Sequence, residues 1–147
     1  GEAQALAHWD PDTWRFLKDD RLTEIATNLD AEHANRTCCV IGVRGSLLRE
    51  DKAAVKALVA ALLESAALTA ADPAATAQAY FDTFKPKSSV PELAAMLKSH
   101  THHHHPVGDA LKRELALYAE ELKQVRVLKP TTDPRAFTER IYGDVFA

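Results

Sequence analysis

Asn35-Arg36-Thr37-Cys38-Cys39-Val40-Ile41-Gly42-Val43-Arg44-Gly45-Ser46-Leu47-Leu48 (NRTCCVIGVRGSLL) is the stretch on which the fold turns. Within it, Thr37–Val43 is β-branched and apolar without interruption, bounded by Asn35-Arg36 before and Gly45 after. A run of this length and composition between turn residues predicts a strand buried on both faces, as in a sheet covered by helices. Leu22–Leu29 (LTEIATNL) is a plausible partner strand and Arg126–Leu128 a weaker one. On a strand, Cys38 and Cys39 point to opposite faces and act as small hydrophobes, because neighbouring cysteines rarely meet disulfide geometry.

Outward from this stretch the pattern is helical. Three Asp-Pro steps, Asp10-Pro11, Asp72-Pro73 and Asp133-Pro134, each predict a helix start. The carboxylate accepts orphan N–H groups of the first turn, and proline presets φ just inside it. Trp14 and Leu17 follow the first step, Ala77, Tyr80, Phe81 and Phe84 the second, and Phe137, Ile141 and Val145 the third. Val55, Leu58, Val59, Leu62, Leu63 and Ala66 form an apolar stripe within Glu50–Leu68, whose alanines suit close packing. Val107, Leu111, Leu115, Tyr118, Leu122 and Val125 recur at intervals of four and three behind Pro106. A shorter helix is expected from a capping box, Ser89 to Glu92, through Leu93, Met96 and Leu97. The expected fold is therefore α/β and predominantly helical, a small sheet of two or three strands covered by about six helices. All 147 residues are read as one domain.

Composition narrows the function. The chain is 46% hydrophobic and 27% charged, with a net charge of −3, so no broad positive field favours nucleic acid. No uninterrupted apolar run approaches the roughly 20 residues of a membrane span, and Gly1-Glu2-Ala3-Gln4 has no signal-peptide pattern. The five glycines build no phosphate loop, and Ser46 has no nucleophile motif around it.

The chemistry concentrates in His100-Thr101-His102-His103-His104-His105-Pro106, which holds five of the seven histidines. Neutral imidazole is a ligand for copper, nickel and zinc, and clustered rings supply several ligands at once. Residues ahead of a proline are biased towards extended backbone, so two or three of these rings can converge on one ion. Asp109, just inside the next helix, is a candidate oxygen ligand. His8 and His33 are isolated and read as surface or packed residues. A second candidate site is Asn35, Arg36 and Thr37, where a strand entry offers several donors to a small oxyanion. A surface pairing of Arg36 with Asp30 or Glu32 is the plainer alternative.

Read in order, WDPDTW, NRTCCVIGVRGSLL, REDKAAVKALVAALLESA and DPAATAQAYF resemble the carboxy-terminal part of a family of ABC-importer solute-binding proteins. That family takes up nitrate, sulfonate, taurine or bicarbonate, and the resemblance runs from about Ala7 to Ala147. It implies a segment of a two-lobed periplasmic binding fold, without catalysis, that delivers a small anion to a membrane permease. It also implies a solute-holding role for Asn35, Arg36 or Thr37. Such proteins are about twice this length or more, so the chain corresponds to part of one. The alternatives are a free-standing periplasmic carrier of copper, nickel or zinc and, less supported, an enzyme activating water on a histidine-bound metal. For the last, only Asp109 and Glu114 lie near the histidines as candidate bases.

Overall fold

The computed structural model describes residues 3–28, 30–34, 36–100 and 105–147. Seven α-helices are formed among them: α1 (Asp12–Phe16), α2 (Gly45–Glu50), α3 (Lys52–Ala71), α4 (Pro73–Phe84), α5 (Val90–Ser99), α6 (Gly108–Gln124) and α7 (Pro134–Ile141). A 3-10 turn covers Ala31–His33.

Each Asp-Pro step opens a helix. Asp10 Oδ1 accepts from the Trp14 amide at 3.1 Å, Asp72 Oδ1 from Ala75 at 2.9 Å, and Asp133 Oδ1 from Ala136 at 2.7 Å. These bonds satisfy N–H groups that have no partner within a first turn. Asp51 does the same for α3 through the Ala54 amide at 2.9 Å. At α5, the Glu92 carboxylate accepts from the amide and the hydroxyl of Ser89, at 2.7 and 2.9 Å.

The chain sorts into two compact units, Gly1–Ala34 with Glu64–His103 and Asn35–Leu63 with His104–Ala147. In the first, α4 and α5 pack as an antiparallel pair around Ala77, Leu93 and Met96. Trp14, Phe81, Val90, Ala94 and Leu97 close over that cluster. Lys18 donates to Glu92, which ties the segment after α1 to the start of α5. In the second unit α6 packs along α7, and Val55, Ala119 and Val145 are buried. Gly108 opens α6 at φ +60, a conformation that favours glycine, and its amide donates to the Tyr142 hydroxyl at 2.8 Å.

The expected α/β fold with its small sheet is overturned: among the described residues there is no strand, and the structure is all-helical. Thr37–Val43 forms no strand, and beyond Thr37 it is largely exposed, Val40 at 57% and Ile41 at 48%. The reason lies with its expected partners. Thr27, near the end of the Leu22–Leu29 run, gives its amide to the Asp30 carboxylate at 2.7 Å, which makes a turn there. Residue 29 itself lies outside the described part. Arg126–Leu128 is the terminus of α6: Arg126 takes φ +61, and the amides of Val127 and Leu128 both donate to the Leu122 carbonyl, at 2.8 and 3.0 Å. Left-handed backbone with such back-bonding ends a helix and removes these amides from any ladder. A strand without neighbours has no ladder to join, whatever its composition.

The stripe on α3 is only partly used. Val55 is buried, whereas Leu58 and Leu62 stay exposed. By length and composition this 20-residue helix is apolar enough to cross a bilayer, a test that core helices of water-soluble proteins also pass.

Candidate functional site

Three places carry the polar chemistry of the described residues. The first is the Arg36–Thr37 corner, which α6 holds with Glu114, Tyr118 and Glu121. Spacings of four and three put these side chains on one helical face. Glu114 Oε2 accepts from the Thr37 amide at 2.6 Å, and the Tyr118 hydroxyl donates to the Thr37 carbonyl at 2.7 Å. Arg36 donates to Glu121, with its guanidinium carbon 5.9 Å from the centre of the Tyr118 ring. Burial pushes the Tyr118 hydroxyl above its usual range, against the opposing pull of the Arg36 charge. The arginine expected to receive an anion is thus neutralised by one carboxylate and has a second close by, which disfavours an anion there. Asn35 lies outside the described residues. Thr37 is buried and its hydroxyl has no partner. The sequence placed Tyr118 in the apolar stripe of this helix, and nothing local pointed it, Glu114 or Glu121 at Thr37.

Beside this corner Cys38 and Cys39 are free and exposed, their sulfurs 3.7 Å apart. Burial, and then the bond to Cys39, push the Cys38 thiol upward, so it stays protonated at neutral pH and is a poor nucleophile.

The second place is the head of the histidine run. His100 ends α5, and its Nε2 lies 2.7 Å from Asp10 Oδ2 while the other oxygen of Asp10 caps α1. A carboxylate at Nε2 holds the proton of the neutral ring there and puts the lone pair on Nδ1, the arrangement found behind metal-bound histidines. His102, His103 and His104 lie outside the described residues, and His105 is exposed. Among the described residues no group of three metal-binding side chains comes together. His8 is engaged elsewhere, its ring 4.8 Å from that of Trp9 and 5.6 Å from that of Phe16.

The third place is a cleft of about 320 Å³ between α6 and α7, lined by Asp109, Lys112, Arg113, Ala116, Arg135, Thr138 and Glu139. Positions 109, 112, 113 and 116 share one face of α6, and 135, 138 and 139 share one face of α7. Lys112 reaches both oxygens of Glu139, at 3.2 and 3.1 Å, and lies 5.3 Å from the centre of the Tyr142 ring. That pairing is the main reason its ammonium is held above the usual lysine range, with Asp109 adding to it. Thr138 is 2% exposed and its hydroxyl is buried with no hydrogen-bond partner, at a cost of about 1–3 kcal/mol. Asp109 stands on the α6 wall of this cleft with Lys112, Arg113 and Arg135, while the His102–His104 it was expected to join lie outside the described residues.

No family model matches the chain, and no curated protein or solved structure is detectably similar to it.

Proposed function

We propose that this chain is a non-catalytic binding module of the ABC-importer solute-binding class, carrying a transition metal on the histidine segment headed by His100. The observation behind the metal reading is the carboxylate–imidazole pair of Asp10 and His100, 2.7 Å apart. It supplies the orienting partner that a ligating imidazole needs, while the following histidines supply further nitrogen donors for copper, nickel or zinc. The importer class rests on the order of the WDPDTW, VRGSLL and DPAATAQAYF segments. The non-catalytic reading is supported by Cys38, whose thiol burial pushes upward and so makes a poor nucleophile.

Calorimetric titration of metal-free protein with Cu²⁺, Ni²⁺ and Zn²⁺ tests the metal reading. Stoichiometric, sub-micromolar uptake is expected, lost when His102–His105 are changed to alanine. Asp10→Asn should weaken it by roughly 10- to 100-fold, because the supporting carboxylate is gone. Weak, unselective uptake that ignores Asp10→Asn would overturn the reading.

A further inference from the structure

The cleft between α6 and α7 shares only Asp109 with the sites expected from the sequence. We propose that it binds the monohydrogen phosphate group, as inorganic phosphate or as the end of a phosphomonoester. Four features of its lining carry this inference, and none depends on the histidine segment.

Arg113 and Arg135 face the cleft from opposite helices, and neither has a carboxylate partner among the described residues. Guanidinium forks match the edges of a tetrahedral oxyanion, to which each can donate two parallel bonds. Glu139 is occupied by Lys112, so it does not oppose an anion with a full charge. Ala116 is small enough to leave room on the α6 wall.

Asp109 then decides which oxyanion fits. A carboxylate inside an otherwise cationic cleft repels an ion that can only accept hydrogen bonds, such as sulfate. It accepts a bond from an ion that carries its own O–H, and monohydrogen phosphate carries one. A phosphomonoester carries that proton when singly ionised, with a second pKa near 6. The cleft opens to solvent on one side, which leaves space for the ester group outside.

The test titrates the whole chain at low salt with inorganic phosphate, methyl phosphate and sodium sulfate, reading the amide and guanidinium resonances of α6 and α7 by NMR. Saturable one-site binding of phosphate is expected, with sulfate at least tenfold weaker. Arg113→Gln and Arg135→Gln should each weaken phosphate by tenfold or more. Asp109→Asn should narrow the gap between phosphate and sulfate. Methyl phosphate binding as tightly as phosphate at pH 6, and more weakly at pH 8, assigns the ester as an accepted source. Methyl phosphate failing at both pH values assigns the free ion. Circular dichroism confirms that each variant folds, and Arg113 and Arg135 are exposed, so their replacement leaves the packed interior unchanged. No saturable phosphate binding, or phosphate and sulfate binding equally in the wild type and in Asp109→Asn, would overturn the proposal. Metal uptake at the histidine segment is measured separately and is independent of either result.

Discussion

Leu93→Ala should be the most damaging single change in the first unit. Leu93 is 2% exposed and is the largest almost wholly buried side chain among the described residues. Its removal deletes three methyl or methylene groups, worth about 2.4 kcal/mol in transfer free energy at about 0.8 kcal/mol each. The cavity adds to this, because Ala77 opposite is too small to fill the space, while the flexible side chain of Met96 can relax into part of it. Leu→Ala changes of this kind cost about 2.7–5.0 kcal/mol, and a value near 3 kcal/mol is expected here. In a unit of this size that lowers the melting temperature by on the order of 15 °C. Urea unfolding followed by tryptophan fluorescence reads it, since Trp14 packs against the cluster and Trp9 is 76% exposed and responds little. A loss below about 1 kcal/mol would refute the assignment of α4 and α5 as the core of this unit.

Two further outcomes follow from the bonding. Glu92, held down to about 2 by Lys18 and then by Ser89, is ionised more readily folded than unfolded, where 4.5 is the ordinary value. Its contribution is present above pH 4.5 and is lost as pH falls towards 2; Glu92→Gln should flatten that part of the stability–pH curve, and an unchanged curve would sink the assignment. Tyr118→Phe removes the 2.7 Å bond to the Thr37 carbonyl and should cost about 0.5–1.5 kcal/mol in urea unfolding. Amide exchange at Thr37 should also speed up in that variant, and exchange as slow as in the wild type would show that Glu114 alone holds this corner.

The two sites differ in how far the sequence exposed them. His100 was legible because its chemistry is carried by a run of like residues, and only its partner Asp10, 90 residues away, was not. Arg36 and Thr37 were legible as polar residues beside an apolar run. What surrounds them was not, since Glu114, Tyr118 and Glu121 arrive from a helix about 80 residues further on. Arg113 and Arg135 carry no local signal at all: each is one charged residue on the solvent side of an amphipathic helix.

What the sequence by itself determined is most of the helices, though not α2 (Gly45–Glu50), which follows the run read as a strand. Their starts depend on contacts a few residues long, such as Asp72 to Ala75 and Asp133 to Ala136, and their apolar spacing repeats within two turns. Thr37–Val43 shows the opposite case. Its β-branched run is compatible with a strand, but strand formation requires a distant segment to offer a matching row of backbone groups. Leu22–Leu29 turns at Thr27 and Asp30, and Arg126–Leu128 closes α6, so no such row is presented. Helical hydrogen bonds close within one segment and can be read from that segment. Ladder bonds, ion pairs between helices and clefts join segments far apart in the chain, and only the tertiary structure decides them.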